Sequence, residues 1–239
     1  MVPAEIDERP QDGELASDLV TRLAAQKAAA VAATFTAAYV RPPDPDKVVR
    51  LDDVRRAHHL PVVPVDDVRR GSAGATPLPA RAEIIEDETP DGAVVVAADT
   101  VVVLDGAILN KPRDVVDAQR MLRALQDRTH EVMTAVAVEV VTWEGTTFAD
   151  VAVDTTQVRF GPLTKDDVVW YLASREPMDK AGAYGIQGLG GLFITEIVGN
   201  YQTVVGLSLP LLNGLLHRAG FDLRHWQVER DRPPLIPPR

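Results

Sequence analysis

The stretch "AVVVAADTVVVL" (93–104) is an almost unbroken run of small and β-branched apolar residues, with one carboxylate, Asp99, near its centre. Such a run predicts a buried strand. Asp105 and Gly106 follow, flanked by apolar residues, and predict a two-residue hairpin turn. Leu104 then faces Ala107, and counting outward brings Lys111 opposite Thr100 and Pro112 opposite Asp99. A slip of one residue reverses every face, so the side taken by the Lys111 ammonium stays open.

Upstream, "SDLVTRLAAQKAAAVAA" (17–33) offers Ser17 as an N-cap, an acidic residue after it, and apolar positions at Val20, Leu23, Ala24 and Val31. This is the pattern of an amphipathic helix. Lys27 falls on the apolar stripe, either as a snorkelling stem at its edge or as a cation facing a cleft. From about 38 to 92 the text becomes Pro-rich and charged, with "DDVRR" at 52–56 and 66–70 and a solvated pair, His58 and His59. It reads as an inserted, loosely structured segment, since two short copies do not make a repeat architecture.

Downstream, Asp114 is placed to cap a helix running to about 126, with Ala118, Met121, Leu122 and Leu125 on one face. Residues 131–143 and 146–160 read as two long strands joined at "EG", and Thr164 with Asp167 as a capping box opening a short helix. "DKAGAYGIQGLGG" (179–191) holds five glycines in thirteen residues, a loop where backbone must approach something closely. "LFITEIV" predicts a strand and "SLPLLNGLLHRAG" a last helix ended by Gly220, before a disordered tail, "RDRPPLIPPR".

Composition narrows the chemistry. The chain of 239 residues is 46% hydrophobic, enough for a substantial core, and has no apolar run long enough to span a membrane and no secretory pattern at its start. A cytoplasmic protein is expected. Zero cysteines exclude disulfides, thiolate metal sites and cysteine nucleophiles. A net charge of −10 argues against nucleic-acid polymers and anionic membranes as partners, while a small anionic substrate remains compatible if cations cluster locally. Only five lysines stand beside twenty arginines, and Lys27, Lys111 and Lys180 all fall in segments singled out above.

Asp99 needs partners, because an isolated charge in an apolar interior is costly. Backbone N–H groups or Lys111 at a strand end would satisfy it; alternatively it is a metal ligand or base where a strand opens into a cleft. Glu5, Asp7 and Glu8 form an acidic cluster that suits a solvated terminus, or a hard cation shared with substrate phosphates. The glycine-rich stretch matches neither the Walker nor the dinucleotide pattern, but seats Asp179, Lys180, Tyr184 and Gln187 among its glycines. Gln187 carries donors and an acceptor, as reading a base edge requires. No Gly-x-Ser-x-Gly elbow supports a serine hydrolase.

In order along the chain, "AADTVVVLDGAILNKP", "RTHEVMTAVAV" and "DKAGAYGIQGLGGLFITEIVGNYQTVVGLSLPLL" closely resemble the Maf family of nucleoside triphosphate pyrophosphatases, and "VPAEIDERP" and "LVTRLAAQKAAAVA" look like its early segments. The resemblance implies an α/β fold, a long mixed β-sheet flanked by helices as in inosine-triphosphatase-like enzymes, and a homodimer. It implies a nucleotide cut between its α- and β-phosphates with a divalent cation, Mg or Mn. On these positions Asp99 matches the proton acceptor and a metal partner, Glu8 the acidic metal-site residue, and Lys27 and Lys111 the phosphate-contacting lysines. Thr100 and Gln187 match positions tied to base choice, and Lys180 joins the substrate-binding set. "GAYGIQG" resembles the branch acting on dTTP and UTP rather than 7-methyl-GTP.

Two departures stand out. The family opens with a strand ending like "LASxSPRR", which this chain is expected to lack, and the 38–92 insertion lies where the family has a short connection. The expected organisation is a single domain over 1–220 with that insertion, then a partly disordered tail over 221–239. The competing expectation is a catalytically impaired relative that binds nucleotide or a division-related partner.

Overall fold

The computed structural model describes residues 6–39, 62–64, 92–142 and 145–223. They form helix α1 (Ala16–Tyr39), strands β1 (Val62–Pro64), β2 (Gly92–Leu104) and β3 (Ala107–Leu109), helix α2 (Val115–Leu125), strands β4 (Thr129–Thr142) and β5 (Gly145–Phe160), and helix α3 (Lys165–Ala173). Three short 3₁₀ turns over 176–179, 181–183 and 189–193 lead into β6 (Ile194–Val198), α4 (Tyr201–Val205) and α5 (Leu209–Arg218). No helix among the described residues is long and apolar enough to cross a membrane.

The sheet runs β1-β2-β4-β5-β6, with β3 beside the end of β2. The β1–β2 pairing is parallel and every other is antiparallel, so the sheet is mixed and the fold α/β. The apolar run in β2 is explained by cover on both faces. Val95, Ala97, Val101 and Val103 pack with Leu19, Val20, Leu23, Ala24 and Ala28 of α1. On the other face Val94 packs with Leu212, Leu215 and Leu216 of α5, and Val102 and Leu104 with α2 and the aromatic group of Phe160, Tyr171, Tyr184 and Phe193.

Several expectations shift. Helix α1 begins at Ala16, so Ser17 lies in its first turn instead of capping it, and the alanine-rich text carries it to Tyr39. The expected insertion contains β1, which pairs Val62 to Pro64 with Val94 to Val96; His58, His59 and both "DDVRR" copies lie outside the described residues, as does the tail beyond 223. The hairpin at Asp105 and Gly106 has the expected register, Leu104 facing Ala107, but the ladder stops at Val102 and Leu109, so Lys111 is not a ladder partner of Thr100. Asp114 caps α2 and the Thr164–Asp167 capping box opens α3, as the sequence predicts.

The glycine-rich segment is a chain of tight turns rather than an open loop. Gly182 has φ +67°, and a Cβ there would stand 2.9 Å from Val102. Leu192 and Phe193 belong to the last of these turns, which delays the predicted strand to Ile194. Between β1 and β3, residues 97–101 of β2 pair only with β4 among the described residues, which leaves one backbone edge to the site.

Candidate active site

Asp99 sits on β2 opposite Ala135 of β4, and its carboxylate meets the ammonium of Lys27 from α1. The long stem of Lys27 lies in the apolar face of α1 and its side chain is 5% exposed. The cleft-facing alternative therefore holds. Glu8 reaches the same ammonium, its carboxylate 3.3 Å from Lys27 Nζ. A nearly enclosed ammonium thus has two carboxylates, which offsets the desolvation that burial imposes.

Arg22, five residues before Lys27 on α1 and not singled out in the sequence, explains how Glu8 arrives there. Its guanidinium donates to the Asp7 and Arg9 carbonyls, each at 3.2 Å, and to both oxygens of Glu14 at 2.7 and 2.8 Å. These bonds hold the segment before α1 against the helix. The Arg22 hydrogen bond, followed by the Gln11 N–H, draws the Glu14 carboxyl down to about 2.

Asp99 and Thr100 point to opposite faces of β2, yet both line one cavity of about 850 Å³ that runs along residues 98–102 of the strand. Glu8, Lys27, Lys111, Lys180 and Gln187 line it too. All seven residues singled out in the sequence are thus brought together from separate segments. Lys111 is exposed. Lys180 donates to Asp179 at 2.7 Å, and Asp179 is held below the ordinary carboxyl range, first by that bond and also by the nearby Lys111 charge.

The Thr100 hydroxyl lies 2.8 Å from that of Thr134, and Thr134 donates to the Thr203 carbonyl at 2.7 Å. A hydroxyl has one proton. Thr134 spends its proton on the carbonyl, so Thr100 must be the donor to Thr134, and it offers only lone pairs to a group entering the cavity. Behind this chain Asp154 accepts from Thr203 Oγ1 and Ser208 Oγ at 2.7 Å each and from Asn200 Nδ2 at 3.4 Å. Burial raises its pKa, but these three bonds prevail and lower it overall. They fix α4, whose end lines the cavity from Val204 to Leu207.

Tyr184 is 5% exposed, and its hydroxyl is 2.8 Å from His130 Nε2. Burial pushes the His130 pKa down to about 4, so the ring is neutral at pH 7, and it pushes the Tyr184 phenol up. Neither His130 nor Asp154 was legible as part of the site, because both act through neighbours about fifty positions further along the chain, in the glycine turns and around α4.

A divalent cation would find two hard carboxylates here, Glu8 and Asp99, and among the described residues no group of three or more His, Asp or Glu side chains placed to hold a metal. That donor set fits Mg²⁺ or Mn²⁺ completed by substrate phosphates and water, and does not fit a closed structural site.

Among curated proteins, a dTTP/UTP pyrophosphatase of Anaeromyxobacter sp. (strain Fw109-5) is 47% identical over 150 residues, 61% of this chain and 73% of that relative. Proteins of the same name from Shewanella denitrificans and Escherichia coli O157:H7 are 52% and 53% identical over 122 and 115 residues, 59% and 56% of their lengths. The chain thus spans between 56% and 73% of these three relatives. A family profile described as Maf-like protein matches residues 1–219, nearly the whole chain, and the chain belongs to that family.

Proposed function

We propose that the protein is a nucleoside triphosphate pyrophosphatase that hydrolyses dTTP and UTP to the monophosphate and pyrophosphate, clearing excess or non-canonical pyrimidine nucleotides. The observation that carries this reading is the convergence of Glu8, Lys27, Asp99, Thr100, Lys111, Lys180 and Gln187 on one cavity. Relatives about half identical bear the name of that activity.

Water attacks the α-phosphorus, the bond to the bridging oxygen breaks, and pyrophosphate leaves. Asp99 takes the proton of the attacking water. Lys27, Lys111 and Lys180 concentrate positive charge around an anionic substrate in a chain of net charge −10, the electrostatic stabilisation on which phosphoryl transfer mainly relies. Mg²⁺ or Mn²⁺ at Glu8 and Asp99 would supply further charge neutralisation. Thr100, an acceptor by its proton inventory, suits the imide N–H of thymine or uracil, and Gln187 supplies both donor and acceptor to the base edge. The active species is a cytoplasmic homodimer, its assembly checked by sedimentation.

Pyrophosphate release from dTTP and UTP, with Mg²⁺ or Mn²⁺, tests the reading on the parent chain and on Asp99→Asn. Turnover that survives in the variant overturns it. A second reading, nucleotide binding without turnover, is favoured by the ammonium of Lys27 lying against both carboxylates that a cation would need. Calorimetric binding of dTTP with no product formed would select it.

A further inference from the structure

Glu176 lines the cavity but carries none of the roles above. Its carboxylate is instead the centre of the glycine turns. Oε1 accepts from Tyr171 Oη at 2.9 Å and from the Gly190 N–H at 3.0 Å, and Oε2 accepts from the Leu189 N–H at 2.9 Å. The Tyr171 hydroxyl in turn accepts from the Gly185 N–H at 3.1 Å. One carboxylate and one phenol therefore hold backbone groups on both sides of Gln187.

The glycines are shaped to this carboxylate. A Cβ on Gly188 would fall 2.5 Å from the Glu176 carboxyl carbon, and one on Gly190 would fall 2.5 Å from the Tyr171 hydroxyl. Real side chains cannot approach so closely, so both positions must stay bare while the clamp is closed. The phenol is fully enclosed and packs edge-on against Phe193, which fixes the anchor to the core. Burial pushes the Glu176 carboxyl up, but the two N–H groups and the phenol outweigh it, and the group stays ionised at neutral pH.

We propose that Glu176 is a positioning residue for base recognition: with Tyr171 it clamps residues 185–190 so that Gln187 meets the nucleobase in a fixed geometry. This rests on the pyrophosphatase reading. The selectivity it serves comes from a preorganised amide, because a side chain free to wander reads donors and acceptors poorly. Glu176→Gln keeps the size but turns one acceptor into an NH₂ group facing the Leu189 N–H, two donors in opposition.

Two measurements on the full chain test it, with Tyr171→Phe and Gly188→Ala as companions should Glu176→Gln fail to fold. Amide hydrogen exchange over 185–193 should quicken by roughly tenfold or more in the variants, as expected for losing a hydrogen bond to a charged acceptor, while exchange in β4 is unchanged. The preference for dTTP over dCTP, which differ in the base, should fall by about tenfold through KM, with kcat on dTTP largely kept. Gly188→Ala and Glu176→Gln together should do little more than either alone, since both open the same clamp. Unchanged exchange over 185–193 overturns the clamp, and so does an equal loss on both nucleotides. A parent chain that hydrolyses neither nucleotide refutes the pyrophosphatase reading alone, and the exchange data still judge the clamp.

Discussion

Removing Asp99 should damage the fold more than removing Lys27. The Lys27 side chain is 5% exposed, Asp99 13% and Glu8 40%, so the ammonium is the member of the group with least access to water. Truncating one partner of a buried pair costs about 3–5 kcal/mol, chiefly from the charge left behind. In Asp99→Ala that charge keeps Glu8 at 3.3 Å, which places the expected loss near the low end, about 3 kcal/mol. For a chain of this size the melting temperature should drop by roughly 6–12 °C. Lys27→Met keeps an apolar stem of similar volume and leaves Asp99 on the wall of an open cavity where water reaches it. Its expected loss is about 1–2 kcal/mol. Urea unfolding of the parent and both variants measures this through the midpoint, with the slope required to stay constant. A Lys27→Met loss equal to or greater than that of Asp99→Ala would refute the reasoning, as would an Asp99→Ala change within about 0.5 kcal/mol of the parent.

Acid should act through His130 before it acts on the carboxylates: its folded pKa of about 4 lies below the ordinary 6.5, so stability is full above 6.5 and falls by about 3 kcal/mol as pH drops toward 4. Urea midpoints at pH 7.5 and 4.5 read this, and a flat profile in the parent, or an equally steep one in His130→Gln, contradicts it. Asp154→Ala should cost about 1–3 kcal/mol by stranding the donors of Thr203, Ser208 and Asn200, and should loosen α4 in hydrogen exchange. Gly182→Ala, driven onto Val102 at φ +67°, should lose about 1–3 kcal/mol in chemical denaturation. Lys111→Ala removes an exposed cation, so its unfolding free energy from urea titration should stay within about 0.5 kcal/mol of the parent while turnover falls.

Elements with one dominant local signal were legible in the sequence. The β2 run, the Asp105–Gly106 turn and the Asp114 and Thr164 caps each declare themselves within a few residues, and the structure follows them. The seven candidate site residues also converge, on the strength of a family resemblance that spacing alone could not supply. Signals that depend on distant partners were not legible. Arg22 looks like an ordinary helix-surface cation until the segment before α1 folds back on it, and Glu176 looks like a turn residue until Leu189 and Gly190 return to it. The Lys111 register failed for a related reason, since the pairing that would extend β3 gives way to the turn that leads into α2.

The β4–β5 ladder extends from Thr142 and Gly145 to Thr129 and Arg159, a long antiparallel hairpin. Its contacts close outward from a short connection and need less loop closure than the β2–β4 ladder, whereas Lys27 and Asp99 are 72 positions apart. The hairpin should therefore assemble early in folding, with φ-values above about 0.5 in β4 and below about 0.3 around Lys27 and Glu176. Substitutions in the frame would slow refolding, whereas those in the cavity, and a bound nucleotide, would act mainly on the rate of unfolding. The chain completes its scaffold before the side chains that use it come together.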